Sequence, residues 1–287
     1  MGLGGDMQAI ALVTGGSRGV GRGIALALLE EGAIVHVTAR TLTEADALTH
    51  PQGSGSLESL AEEASSLPGR LIIHRCDHAD DKQTVEVVAK IEEVHGGIDL
   101  LVNNAWPGYE HMVEGTTFTW PKPFWEQPMW RWNAMIDVGL RSAFVTSRAV
   151  APAMIAKRKG LIVNISFWAA ELFEGNAIYG VAKAGANKLA ADCAHDLMPY
   201  GVSAVALYPG LVRTEAVLRA AEFMDLSNSE SPRFVGRVIA GLWRDGSLLK
   251  KSGRPHVVAA LAREYGILDI DGQSPRPLAQ DDFQNRD

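Results

Sequence analysis

AIALVTGGSRGVGRGIALALLEEG, residues 9–32, decides the architecture. Its first part (9–14) is apolar throughout and reads as a buried strand. VGRGIALALLEEG (20–32) carries apolar residues at helical spacing and stops at Gly32. Between them stands TGGSRGVG (14–21). Glycines at a strand-to-helix junction permit a tight turn and let the backbone approach a phosphate. The helix N-terminus behind them offers free N–H groups and the positive end of its dipole. Gly15, Ser17, Arg18, Gly19, Val20 and Gly21 are therefore the expected phosphate cradle of a dinucleotide.

The same alternation continues along the chain. AIVHVTA (33–39), RLIIHRC (70–76), IDLLVNNA (98–105), GLIVNIS (160–166) and VSAVALYPG (202–210) are further apolar runs. LESLAEEASSL (57–67), DKQTVEVVAKIEEVHG (81–96), a stretch at roughly 127–157 and AIYGVAKAGANKLAADCAHDLM (177–198) have helical patterns. Apolar strands separated by helices predict a parallel sheet covered on both faces. The fold class is α/β, a Rossmann-type doubly wound sheet. No linker or repeat divides it, so residues 1–287 form one domain with a core at about 8–260. Residues 273–287, proline-rich and polar, read as a loosely held tail.

Composition bounds the partners. Of 287 residues 47% are hydrophobic and 21% charged, with a net charge of −7, which suits an ordinary soluble globular protein. No Lys/Arg-rich run marks a nucleic-acid or membrane surface, so the expected partner is a small molecule. The two cysteines, Cys76 and Cys193, lack metal-ligand spacing and fit a reducing compartment. Eight histidines without an HExxH-like pair give no support for a metal site. MGLGGDMQ (1–8) is not a signal peptide, and no apolar run reaches membrane-spanning length. A cytoplasmic location is expected.

The end of the second strand discriminates between cofactors. An acidic residue there would bind the ribose 2′-OH of NAD, whereas an arginine accommodates the 2′-phosphate of NADP. VTARTLTEAD (37–46) puts Arg40 at that point, and Arg18 in the glycine turn adds a second positive charge. NADP(H) is therefore favoured over NAD(H). After the third strand, Asp77 with its neighbour His78 is placed to meet the adenine; the other role for Asp77 is to cap the helix that follows.

SFWAAELFEGNAIYGVAKAG (166–185) carries the chemistry. Ser166 ends a strand, Tyr179 follows thirteen residues later, and Lys183 lies one helical turn further on the same face. A tyrosine titrates near pH 10, too high for easy proton exchange at neutral pH, and a nearby ammonium is expected to lower that value. Ser166 would donate to a substrate oxygen while Tyr179 gives or takes a proton and a nicotinamide supplies or accepts hydride. The expected reaction is carbonyl/alcohol interconversion.

With TGGSRGVG, NNAW (103–106) and YPGLVRT (208–214), these residues resemble the short-chain dehydrogenase/reductase family over about residues 8–215. NNAW, DVGL, KLAADCAHDL and LAREYGILDIDG are similar to one subgroup of it, SDR-family member one. That subgroup is linked to NADPH-dependent reduction of steroid and xenobiotic carbonyls. The resemblance implies that Asn103, Asn104 and Ala105 lie against the cofactor. It also implies that Pro209, Gly210, Val212 and Thr214 flank the nicotinamide and that Tyr179 and Lys183 contact it. A homodimer or homotetramer through the long helices is implied too.

Two stretches depart from the familiar pattern. Residues 106–132 form an insertion holding five of the seven tryptophans, after the fourth strand where ligands of open α/β sheets bind. They line a pocket for a bulky apolar substrate, or else pin the loop or a subunit contact. Trp106, Phe167 and Trp168 are the pocket candidates, and residues 213–234 the mobile substrate loop. NAMIDVGLRSAF (133–144) has Gly139 inside a helical pattern, where glycine costs about 1 kcal/mol relative to alanine. By the resemblance an asparagine usually stands there. Glycine would keep a local distortion and a carbonyl contact to a relay water, or would permit close packing against a neighbouring helix.

The preferred expectation is an NADP(H)-dependent oxidoreductase acting on a bulky apolar ketone or aldehyde. A 3-oxoacyl-thioester reductase and a non-catalytic NADP(H)-binding sensor stay open.

Overall fold

The computed structural model describes residues 9–50, 53–114 and 117–284. Each apolar run forms a strand: β1 (Ile10–Thr14), β2 (Ile34–Ala39), β3 (Arg70–Arg75), β4 (Leu100–Asn103), β5 (Gly160–Ile165) and β6 (Val202–Tyr208). A further short strand, β7 (Pro255–Val257), adds an edge that its three residues did not announce. All seven pair in parallel in the order β3-β2-β1-β4-β5-β6-β7. The order reverses between β1 and β4, and that switch point opens a crevice at the carboxyl ends of the strands.

The sheet is buried on both sides because its strands are apolar on both. Ala11, Val13, Leu100, Val102, Leu161, Val163, Val205 and Leu207 face one core, with α1 (Gly19–Glu30), α2 (Leu57–Ala64), α6 (Pro232–Trp243) and α7 (Val258–Tyr265). Leu12, Leu101, Ile162 and Ala204 face the other, against α3 (Asp81–His95), α4 (Arg141–Lys157) and α5 (Ala177–Leu197). Among the described residues no helix is long and apolar enough to cross a membrane.

Three expectations need revision. The helix expected over 127–157 begins at Met129, after Pro128, and is π-helical over Asn133–Leu140 before α4 continues. The substrate loop of 213–234 is fastened at its far end. Ser229–Glu230 pairs with Leu211–Val212, Arg213 reaches Ser229, Asp269 and Asp271, and Ser231 N donates to Asp269 at 2.7 Å. The tail is not loose over its described part. Asn228 and Arg276 exchange two hydrogen bonds, and Phe283 packs on Phe167 and Trp168 at 5.9 and 5.8 Å. Residues 1–8 and 285–287 lie outside the described residues.

Candidate active site

The glycine turn is shaped by what presses on it. Gly15 has φ +71°, and a β-carbon there would lie 2.7 Å from the Ala105 Cα at the end of β4. Thr14 Oγ1 accepts from the backbone N–H groups of Asn104 and Ala105 (2.9 and 3.0 Å), and Asn104 Nδ2 donates to the carbonyls of Thr14 and Gly15. Asn104 thus ties the turn to β4. Asn103 also lines the cavity along the strand ends, and its amide donates to Asn164 Oδ1 at 2.8 Å and Ser147 Oγ at 3.0 Å. Gly19 N–H, opening α1, already holds an anion: Glu215 Oε2 accepts from it at 3.0 Å. A carboxylate on this N–H is the contact a phosphate oxygen would make.

A continuous cavity of about 950 Å³ runs from this turn along the strand ends. Gly15, Ser17, Arg18, Gly19, Val20, Arg40, Asp77, His78, Asn104 and Ala105 line one end. Ser166, Tyr179 and Lys183 line the other, with Pro209, Gly210, Val212 and Thr214 between. Gly21 does not line it; it sits behind the turn against Asn104 and the Gly15 carbonyl, where a side chain has no room. His78 lines the wall, but its Nε2 pairs with Thr38 Oγ1 (2.7 Å) and its Nδ1 with Thr84 Oγ1 (2.9 Å). Burial pushes it down to about 4, so it is a neutral structural histidine. Asp77 Oδ1 accepts from Ala79 N at 3.0 Å, while Asp80 caps α3.

Charge gathers where the second strand ends. Arg18 bonds to His50, to Thr41 Oγ1 (2.8 Å) and to the Gly55 carbonyl (3.1 Å). Arg40 pairs with Glu110, which lies 3.3 Å from His50. The two arginines were legible in the sequence. His50 and Glu110 were not, because loops far apart in the chain bring them there.

The side chains of Ser166, Tyr179 and Lys183 are held by local chemistry. Asn176 caps α5 by accepting from Tyr179 N at 3.1 Å, and its Nδ2 donates to the Trp120 carbonyl at 2.9 Å. One cap therefore fixes Tyr179 on its helix and ties that helix to the insertion. Ser166 Oγ donates to the Lys183 carbonyl at 3.2 Å, and Lys183 Nζ donates to the Ile165 carbonyl at 3.1 Å. Burial pushes Lys183 down to about 7. Tyr179 does not show the lowered value expected from its lysine neighbour. Burial raises it well above the ordinary phenol, with Tyr109 and Glu174 adding to the shift. The reason is geometric: the lysine turns toward Ile165 and onto the Trp106 ring, 4.1 Å from its centroid. Below the Pro209–Gly210 segment, buried Glu230 accepts from Gly210 N at 2.9 Å and is pushed up to about 8, chiefly by burial.

The aromatic insertion divides. Trp106, Tyr109 and Trp120 pack around the Tyr179 ring at 5.9, 6.0 and 5.2 Å and line the cavity with Phe167. Phe124 and Trp125 are exposed. Arg131, fully buried, clamps the insertion by donating to the Thr119 carbonyl (3.0 Å) and Oγ1 (2.8 Å) beside the Trp130 ring. Nothing in the local pattern marked that arginine as a core residue. Trp168 is not in the cavity wall; it turns onto Tyr208 and Phe283.

Gly139 has a specific neighbour. A β-carbon there would lie 2.8 Å from the Cε3 and Cζ3 atoms of Trp106. The close packing is with an indole from a loop rather than with another helix. The distortion is also present, as the π-helical stretch, and the Gly139 carbonyl accepts from Ser142 Oγ at 3.1 Å. Gly139→Asn is therefore expected to destabilise the protein by about 1–3 kcal/mol through overpacking. In a Trp106→Gly background, itself destabilised by the lost packing, the further loss from Gly139→Asn should be much smaller. Denaturant unfolding of the two single variants and the double variant checks this; additive losses would break the link.

The sequence profile of the short chain dehydrogenase family matches residues 9–224. Mouse (Mus musculus) "Dehydrogenase/reductase SDR family member 1" is 38% identical, covering 92% of this chain and 84% of its own. A metagenomic short-chain oxidoreductase solved in complex with NADP is 26% identical, with a TM-score of 0.68, over 88% of this chain and 97% of the other. A 3-oxoacyl-[acyl-carrier protein] reductase from Brucella melitensis in complex with NAD is 27% identical, with a TM-score of 0.72, over 88% and 96%.

Proposed function

This chain belongs to the short chain dehydrogenase family, and from that premise we propose that it reduces bulky apolar ketones or aldehydes with NADPH. One observation carries the proposal: the anion-binding turn and the Ser166–Tyr179–Lys183 group line one cavity whose far wall is aromatic. The residues fit a dinucleotide. Gly15 lets the turn lie close against Ala105, Gly19 N–H already takes a carboxylate oxygen, and Arg18 and Arg40 line the same cavity as positive charges suited to a 2′-phosphate. When bound, the nicotinamide supplies the hydride.

The protein's part is proton transfer. A phenol held above its ordinary value stays protonated, the state needed to give a proton to a carbonyl oxygen. Ser166, buried at the end of β5, can turn its hydroxyl from the Lys183 carbonyl toward the same oxygen. Trp106, Tyr109, Trp120 and Phe167 exclude water and suit an apolar substituent.

NADPH oxidation, followed by absorbance with benzaldehyde, acetophenone, cyclohexanone and an acetoacetyl thioester, tests the proposal. The aromatic carbonyls are expected to be turned over fastest. A preference for the thioester would replace this substrate class with that of the Brucella reductase, and no turnover of any carbonyl would leave a binding protein. The cofactor part has its own test. A charge-assisted bond contributes about 1.5–3 kcal/mol, so Arg18→Ala and Arg40→Ala should each raise the KM for NADPH roughly ten- to a hundredfold. The KM for NADH should be unchanged; equal losses with both cofactors would remove the NADPH preference.

A further inference from the structure

Reduction leaves Tyr179 short of a proton, and the structure offers two sides from which to replace it. On the lysine side, Lys183 Nζ is buried, donates to the Ile165 carbonyl and is covered by the Trp106 ring. That same indole fills the space beside Gly139, so the approach to the ammonium from the π-helical stretch is occupied by a ring that carries no proton to give. On the other side, the Tyr109 hydroxyl donates to the Tyr179 hydroxyl at 3.0 Å. Tyr179 is 6% exposed and Tyr109 is 39% exposed, and both line the cavity. The hydroxyl end of Tyr109 is itself buried, which pushes its ionisation up, and it meets solvent by way of the cavity that both phenols line.

We propose that Tyr109 is a further catalytic residue, the hydroxyl through which Tyr179 regains its proton from solvent. The proposal rests on the reductase function above. As the carbonyl carbon takes the hydride, its oxygen takes the proton of Tyr179, and the O–H bond of Tyr179 breaks as that of the alcohol forms. The Tyr109 O–H bond then breaks as the Tyr179 O–H bond reforms, and a solvent proton closes the sequence on Tyr109. No electrons move beyond the hydride, and both phenols end as they began. The geometry also explains why Trp106 and Tyr109 share one short loop: the first closes the lysine side and the second opens another.

The charged groups around the pair are Glu174, which lines the same cavity and raises Tyr179, and Lys183. Neither lies between the two hydroxyls, which are in direct hydrogen-bond contact.

The experiment compares wild type, Tyr109→Phe, Tyr109→His and Tyr179→Phe with NADPH and the fastest carbonyl of the panel. Tyr109→Phe is expected to lower kcat about tenfold or more and to enlarge the solvent deuterium isotope effect on kcat, with NADPH binding by fluorescence titration unchanged. Tyr109→His, which again carries a transferable proton, should recover part of the rate and bring a pH inflection near the ordinary imidazole value of about 6.5. The proposal falls if Tyr109→Phe keeps kcat and isotope effect within about twofold of wild type while Tyr179→Phe is inactive. It also falls if the histidine variant is no faster than the phenylalanine one, since that pattern belongs to a packing role. Full turnover by Tyr179→Phe would instead remove Tyr179 from its role and the relay with it, whereas no turnover of any carbonyl by wild type would overturn the reductase function.

Discussion

Tyr179→Phe is expected to lower kcat by about a thousandfold, within the 10²–10⁴ range of a lost general acid, while NADPH still binds. The substitution removes one oxygen and leaves the ring between Trp106, Tyr109, Trp120 and Phe167. The helix cap from Asn176 goes to the backbone N–H of residue 179 and survives the change. The turn at 15–20 lies at the other end of the cavity and should keep its affinity. The residual rate would come from Ser166 and from holding the reactants together. Because burial holds the phenol above its ordinary value, wild-type reduction should show no loss of this acid through neutral pH and decline only in the alkaline range. A kcat within about tenfold of wild type, or a reduction rate limited by phenol ionisation at neutral pH, would remove Tyr179 from its role.

What could be read from the sequence was what local chemistry dictates. Strands without polar alternation, the glycine turn and the spacing of Ser166, Tyr179 and Lys183 each announce themselves within a few residues, and the structure gathers them as expected. The unread part consists of contacts between loops distant in the chain. Glu215 on Gly19 N spans nearly two hundred residues, and Glu110 meets Arg40 across seventy. No local pattern encodes either. Trp168 was misassigned for a related reason: adjacency to Ser166 does not say which way a side chain turns, and Tyr208 with Phe283 offered it an apolar seat outside the cavity. The tail read as loose because proline and polar residues suggest that, yet one phenylalanine and one Asn–Arg pair dock it. Gly139 was a visible anomaly whose cause lay in Trp106, another visible anomaly; only the fold shows that the two touch.

Lys183→Met should cost activity and increase stability together. Lys183 titrates near 10.5 in an unfolded chain and near 7 in the cofactor-free fold, where burial disfavours its charge. Below pH 7 the lysine is protonated in both states, and the fold bears the whole burial cost of roughly 5 kcal/mol. Between about 7 and 10.5 the unfolded chain binds the extra proton, so stability rises with pH. Above that range both states are neutral and the cost is gone. Methionine keeps the unbranched stem and sets a polarisable sulfur against the Trp106 ring in place of the ammonium. It gives up the bond to the Ile165 carbonyl, worth about 1.5–3 kcal/mol for a charged donor, which offsets part of the burial cost removed. The cofactor-free variant should therefore melt roughly 5–10 °C above wild type at pH 6.5, with the gap narrowing by pH 9. Its kcat should fall about a hundred- to a thousandfold, because the cation 5.7 Å from the centre of the Tyr179 ring is lost; it leaves the resting phenol unlowered, so its effect falls on the phenolate formed during turnover. Thermal unfolding of both proteins at the two pH values, beside their turnover, decides it. A variant less stable than wild type at pH 6.5, or a gap indifferent to pH, would mean that this lysine carries no stored cost. If the gap behaves as derived, the fold retains an unfavourable buried charge at the one position where the chemistry requires it.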